Sequence, residues 1–480
     1  MYAIGVDIGT TGTKATVIDS EGKTICVSYQ GYDLFKKPNG FVGQSADDWW
    51  NTLVFTVTDC VSKLENPDDV AVVSLSTQGG SLVCADENGA PLDSAMVWMD
   101  SRSKAQYREL LNLYGEDYYY NITGHKLNAG LNLCKIKWLS DEDSSLFRKT
   151  HKFLSTVDYV NFKLTGEYCI DPSNAAMTQL YDIKNNRWSR ELLDILSVDE
   201  SRLPAIKKSG EQIGTLTKEA AKTLGLSPGV KVISGGHDQY CAALGCGAIN
   251  PGQAMISAGT AFAILYITAG PVFNTDTYIA PGPHLIDGLW GNLATVPTAG
   301  VCMEWFKNNF AASESFEDID RHAQSSDCES LFFYPYFSGS AFPDNSISAK
   351  ACVMGLSLEH TGYHIARAIM EGVAFQLRYA LEKFDKPSSV KLMGGACKSR
   401  LWSGILTDVL PYDLYKAPDN NAAPYGAAVN AGHAEGMFKD LNKLNSGGQI
   451  IPKEENAVCR YNEKYEKYKT GIKSVIDFFD

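Results

Sequence analysis

The chain reads as an α/β protein built from two related halves. Three observations carry that reading. A β-strand, a turn rich in Gly and Thr, and a second strand open the chain, and a helical stretch and a buried strand follow. The same order of strand, Gly-Thr turn and strand returns far down the sequence, at residues 253–268. With 480 residues and 44% hydrophobic content, the chain has apolar material for two or three cores rather than one.

The elements follow in order. Tyr2–Asp7 is a short strand, Gly9–Lys14 a Gly/Thr turn and Ala15–Asp19 a second strand. Ser20–Gly22 turns tightly into a third strand, Lys23–Tyr29, which completes a β-meander. Ala46–Leu64 carries Trp49, Leu53 and Val57 at helical spacing behind Ser45, a capping residue type. Val70–Ser76 is a buried strand. After Pro228 the logic restarts: Val230–Ser234 reads as a strand, Gly235–Asp238 as a turn and Gln239–Gly245 as the start of a helix. Gln253–Ser257 and Phe262–Thr268 flank the turn Ala258-Gly259-Thr260. The halves meet near Gly245–Gly252, which divides the chain into 1–246 and 247–480. His364–Phe384 is a long helix, Val390–Met393 a strand feeding Gly394-Gly395-Ala396, and Tyr425–Gly436 a helix of small residues suited to close packing.

Composition narrows the partners. A net charge of −13 without a Lys/Arg block argues against nucleic acid. Anionic ligands stay open, because backbone N–H groups and Mg²⁺ can hold a nucleotide. The opening MYAIGVDIGTTGTKA reads as a strand and not as an export signal, so a cytoplasmic location is expected. Ala254–Ala269, the most apolar stretch, is broken by Ser257, Thr260 and Thr268 and reads as buried strands, not a membrane span. The 12 Cys form no CxxC pair or Cys/His cluster and read as reduced core residues.

Five segments carry chemistry. In Asp7-Ile-Gly9-Thr10-Thr11-Gly12-Thr13-Lys14, glycines let backbone N–H groups approach phosphate oxygens and the Thr hydroxyls add donors. Asp7, at a strand end, is placed to hold Mg²⁺ through water, although a plain hairpin turn also explains the glycines. Ser257-Ala-Gly259-Thr260-Ala261 repeats this design, and two such turns facing each other would clamp a polyphosphate. Gly394-Gly395-Ala396-Cys397-Lys398-Ser399 joins a strand to a helix at Arg400, and it is not a Walker A loop. In Gly235-Gly-His-Asp238-Gln239, Asp238 is placed to accept a proton from a hydroxyl as phosphoryl-transfer bases do, with helix capping as its rival role. His237 reads as structural, lacking a second His or Cys at ligand spacing. Trp98-Met-Asp100-Ser-Arg102 offers an aromatic face and a carboxylate to a sugar, against a bland reading as a core Trp and an ion pair.

Taken in order, these segments resemble the FGGY family of carbohydrate kinases, in the actin-like ATPase superfamily. Further blocks that carry the resemblance are STQGG at Ser76–Gly80, CKIKWL at Cys134–Leu139, PTAGVCMEW at Pro297–Trp305 and MEGVAF at Met370–Phe375, so it spans essentially the whole chain. The resemblance implies two actin-like (ribonuclease H-like) domains around a cleft, with ATP-Mg²⁺ mainly on the C-terminal domain and a small sugar or polyol mainly on the N-terminal one. It puts the catalytic base on Asp238 and the substrate wall on Gln78, Gly79, Gly80, Trp98, Asp100 and Gln239. It puts nucleotide contacts on Gly9, Thr10, Thr11, Lys14, Gly259, Thr260, Gly300, Glu304, Gly395, Ala396 and Ser399, and metal contact through water on Asp7. A homodimer is also implied.

The departures are informative. Xylulokinases of the family usually carry Met-His, and glycerol kinases Arg-Glu, where this chain has Gly79-Gly80, so side chains are missing and open space is expected there. Gly130 stands where glycerol kinases place a substrate Tyr, and Gly404 where the family's second signature commonly has Gln. A ketose such as xylulose is therefore the expected substrate. Erythritol or gluconate, a sugar-binding regulator without catalysis, and an actin-like chaperone or filament ATPase are the alternatives.

Overall fold

The computed structural model describes residues 1–326, 328–417, 421–444 and 448–479. Strands β1 (Tyr2–Ile8), β2 (Gly12–Asp19) and β3 (Thr24–Gly31) form the expected antiparallel meander. Strand β4 (Val70–Thr77) lies parallel to β1 on its other side. Farther along the chain, β5 (Gln212–Thr215) is an antiparallel edge, and β6 (Lys231–His237) joins it to β4, to which β6 is parallel. This makes one six-stranded sheet. Helix α1 (Ala46–Val61) covers it through Trp49, Leu53 and Val57. Ser45 stands at the cap of α1 but makes no side-chain capping bond.

The second half repeats the plan. Strands β7 (Gln253–Ala258) and β8 (Phe262–Thr268) pair antiparallel, and β9 (Ala280–Pro283) and β10 (Trp290–Val296) extend that side. Strand β11 (Ser389–Met393) lies parallel to β7, β12 (Leu414–Lys416) parallel to β11, and β13 (Gln449–Ile450) closes the edge antiparallel. An antiparallel meander continued by parallel strands thus occurs twice, as the repeated Gly-Thr turn predicts. This is the mixed α/β, two-part actin-like architecture.

The helices that matter below are α2 (Asn132–Glu142), α3 (Asp238–Cys246), α4 (Gly300–Phe310), α5 (Phe316–Gln324), α6 (Gly362–Leu381), α7 (Arg400–Val409), α8 (Ala422–Ala434) and α9 (Glu455–Phe479). Each half has its own apolar core, and a third cluster joins them. Helix α3 leaves the first sheet and packs on β7 and β8, whereas α8 belongs to the second half and packs on β1, β2 and β4. The two helices lie directly against each other. Small residues make this possible: a Cβ on Gly426 would stand 1.8 Å from the Cys241 carbonyl oxygen, and one on Gly245 1.9 Å from that of Ala422.

One expected element differs. Gly235–Asp238 is not a turn: β6 runs extended through His237, and Asp238 is the first residue of α3. The sheet register shifts between Ile233 and Gly236, so the pair sits at a bulge. A Cβ on Gly235 would stand 1.7 Å from the Leu75 carbonyl oxygen, so glycine is needed there for room in the sheet.

Candidate active site

Three parallel strands end together. The register pairs Asp7 with Ser76 and Ser76 with Gly236, and pairs Ile8 with Thr77 and Thr77 with His237. Asp7 and Asp238 are thereby brought to the carboxyl edge of one sheet from opposite ends of the first half, where α/β proteins bind ligands. Ser76 Oγ donates to Asp7 Oδ1 at 2.6 Å, and Lys14 is the cross-strand neighbour of Asp7. Burial, and then the charge of Asp238, push the Asp7 carboxyl up to about 7, against the Ser76 bond and Lys14.

Asp238 is not spent on capping. His237 is the N-cap of α3, and its Nδ1 accepts from the Gln239 N–H at 3.4 Å. The Asp238 side chain is 28% exposed, and its buried Oδ1 has no hydrogen-bond partner. His237 Nδ1 lies 3.4 Å from that oxygen but is itself an acceptor. Gln78 Oε1 and Gln239 Oε1 are also buried without a donor. Three unpaired acceptor oxygens clustered by one sheet edge suit a ligand rich in hydroxyl donors.

The wall around them is tied to the first turn. Gln78 N–H donates to Ile8 O at 2.9 Å, and Gln78 Nε2 to Gln44 Oε1 at 2.8 Å. Gln44 Nε2 in turn donates to Thr10 O at 2.6 Å, and the Trp98 indole N–H to Thr10 Oγ1 at 3.1 Å. Trp98 is 48% exposed, which excludes the core reading.

Two expectations are corrected. Asp100 is fully buried, and its carboxylate accepts from Arg102 Nε at 3.0 Å, Arg102 Nη2 at 2.7 Å and Val42 N–H at 2.9 Å. The Arg102 guanidinium also stacks on Phe41, 3.7 Å from the ring centroid. Both oxygens are therefore used inside the chain, and Asp100 shapes the wall without facing a ligand. Gly79 and Gly80 do not leave open space either. A Cβ on Gly79 would meet His237 at 2.7 Å and Met177 at 2.8 Å, and one on Gly80, at φ +69°, would meet Leu131 at 2.4 Å. Gly130 likewise has no room, since its Cβ would lie 2.2 Å from Trp98 O.

A second cavity of about 890 Å³ lies on the other half. Gly259, Thr260, Gly300, Glu304, Gly395, Ala396 and Ser399 all line it. The N-terminus of α4 meets the 258–260 turn, with Val301 N–H donating to Thr260 O at 3.0 Å. Ser399 is engaged in structure: its Oγ accepts from Trp402 N–H at 2.9 Å as the cap of α7. Gly9, Thr10, Thr11 and Lys14 are not among the lining residues of this cavity and sit beside Asp7.

Sequence reading missed several contributors. Lys135 of α2 is fully buried and donates to Gly80 O at 2.7 Å, Met96 O at 2.9 Å and Val97 O at 2.8 Å, joining the Gly80 and Trp98 segments. Burial pulls it down to about 7, whereas three accepting carbonyls call for all three N–H donors of the ammonium form. CKIKWL marked the segment without distinguishing Lys135 from the partly exposed Lys137. Phe316, Asp320 and Arg321 of α5 line the cavity on the second half with no local motif to announce them.

Comparisons with known proteins bear on the family and the fold. The family description "FGGY family of carbohydrate kinases, N-terminal domain" matches residues 2–245, and the C-terminal domain of the same family matches residues 254–435. The xylulose kinase of Staphylococcus epidermidis is 28% identical over 484 aligned residues, covering 98% of this chain and 96% of that protein. Ligand-bound xylulose kinase from Lactobacillus acidophilus superposes with a TM-score of 0.93 at 24% identity, covering 100% of this chain and 99% of its own. Gluconate kinase from the same organism gives 0.92 at 24% identity with the same coverage.

Proposed function

The chain belongs to the FGGY family of carbohydrate kinases, and from that premise we propose that it transfers the γ-phosphoryl group of ATP to a primary hydroxyl of a ketose, xylulose first among the candidates. The observation that carries this reading is the free carboxylate of Asp238, beside Asp7 and unencumbered by capping. Asp238 accepts the hydroxyl proton as the oxygen attacks the γ-phosphorus in line. Gln78 and Gln239 accept from other hydroxyls, and Trp98 offers its face to the C–H surface of the sugar. The Gly259-Thr260 turn and the Gly300 and Gly395-Ala396 backbones hold the nucleotide, and Gly9, Thr10, Thr11 and Lys14 meet its terminal phosphates.

Asp7 fits Mg²⁺ held through water, since it stands at a strand end beside the negative charge of Asp238, which a cation would offset. No cluster of three or more His, Cys, Asp or Glu placed for a metal occurs among the described residues. Bound there, the ion would neutralise phosphate charge.

Gln78, Trp98 and Gln239 are uncharged, and the Arg102 charge is spent on Asp100. That favours a neutral ketose over the sugar acid of a gluconate kinase. The reading divides the chain after residue 246 into a sugar-side and a nucleotide-side domain, in a cytoplasmic homodimer. No helix among the described residues is long and apolar enough to cross a membrane. Coupled ADP release across ketoses, polyols and gluconate tests the assignment. Asp238→Asn should lower sugar-dependent turnover about 10²–10⁴-fold with ATP binding intact. Near-normal turnover by that variant would remove Asp238 as the base.

A further inference from the structure

Gly79 puts no side chain on the sugar wall, and the neighbouring strand fills the space. A Cβ on Gly79 would stand 2.7 Å from Cδ2 and 3.0 Å from Nε2 of His237, so the Nε2 edge of the imidazole faces Gly79. Register is the cause: His237 ends β6 opposite Thr77, two residues before Gly79. The residue is held firmly. Its backbone N–H donates to Ser173 Oγ at 2.9 Å, and its ring is 8% exposed. Because Nδ1 accepts from the Gln239 N–H, the neutral ring carries its proton on Nε2, which is a donor. Among the described residues Nε2 meets no hydrogen-bond acceptor.

We propose that His237 is a sugar-contacting specificity residue. Its Nε2–H donates to a substrate oxygen other than the one Asp238 deprotonates, in place of the side chains absent at Gly79 and Gly80. The inference rests on the carbohydrate-kinase reading above and deepens it. The substrate it selects is a neutral polyhydroxy chain with a second acceptor oxygen near the reacting hydroxyl. Position 79 and position 237 are alternative sources of one contact, because a side chain at 79 and the imidazole cannot occupy the same volume.

The test uses the full-length protein and the sugar of highest wild-type activity. His237→Ala should raise the KM for sugar roughly tenfold, the worth of one hydrogen bond, and leave the KM for ATP within about twofold. His237→Gln, whose amide can present an N–H, should recover most of that loss. Gly79→Ala should displace the ring and raise the sugar KM in the wild-type background, with little further effect in the His237→Ala background. Thermal unfolding of each variant separates a lost contact from a lost fold. An unchanged sugar KM in a folded His237→Ala variant, or additive effects of the two substitutions, overturns the inference and leaves the kinase reading standing. Absence of sugar-dependent ADP release from the wild type refutes both.

Discussion

Gly426→Ala and Gly404→Ala make the same chemical change in two helix interiors, and the structure gives them opposite signs. A methyl group on Gly404 of α7 would have no atom within 4 Å. Alanine there gains helix propensity of about 1 kcal/mol with no steric cost. At Gly426 of α8 the methyl would lie 1.8 Å from the Cys241 carbonyl oxygen of α3, about 1.6 Å inside the 3.4 Å at which ordinary contact begins. Both partners are helix backbone, so neither yields as a side chain would. Overpacking of this kind costs roughly 1–3 kcal/mol and more where nothing relaxes, which outweighs the propensity gain. A net loss of about 2 kcal/mol lowers Tm by roughly 2 °C when the 480 residues unfold as one unit. Cys241 is one turn from Asp238, so kcat should fall as well. Calorimetry and coupled ADP release on both variants measure this. A Gly426→Ala protein with Tm at or above wild type would show that the α3–α8 contact is not as close as the geometry states.

Two further predictions concern buried charge. The Asp7 carboxyl lies at about 7 when folded, against 3.8 for a freely solvated aspartate. Between those values the folded chain holds a proton that the unfolded chain releases, so this group lowers stability as pH rises through that window. Asp7→Asn should therefore raise Tm at pH 8, by about 2 kcal/mol of stability or less after solvent screening, and leave it unchanged near pH 4. These measurements are made without nucleotide and with chelator, and a gain that is the same at both pH values would contradict the assignment. Lys135→Met leaves three buried carbonyls without their donor and should cost about 2–4 kcal/mol. Its sugar KM should rise more than its ATP KM, because Gly80 and Trp98 lose their common anchor, and equal changes in the two constants would argue for a merely structural lysine.

The meander, the repeat and the strand-end carboxylates were legible because each rests on local pattern. Tyr2–Asp19 sets two strands about a Gly/Thr turn, and Gln253–Thr268 does so again. Glycine was the main source of error. A sequence does not distinguish a glycine needed for positive φ from one needed for room, so Gly235-Gly236 read as a turn when it lies in a strand. The same ambiguity made Gly79-Gly80 read as a gap, although His237, Met177 and Leu131 fill it. Asp100 was visible as a carboxylate beside an aromatic, but its bidentate pairing with Arg102 depends on Val42 and Phe41 from a different segment. Lys135 and α5 reach the site only through long-range packing.

The crossing of α3 and α8 also governs how the chain comes together. The face of the first sheet formed by β1, β2 and β4 is covered by residues 422–434. During synthesis that face stays uncovered until residues 422–434 have left the ribosome, although its strands are complete by residue 77, far earlier. The first sheet therefore waits, with apolar surface exposed, for a segment made much later, and such long-range closure is slow and open to aggregation. The two halves are one assembly problem, and a cut between them would leave each sheet without the helix that the other supplies.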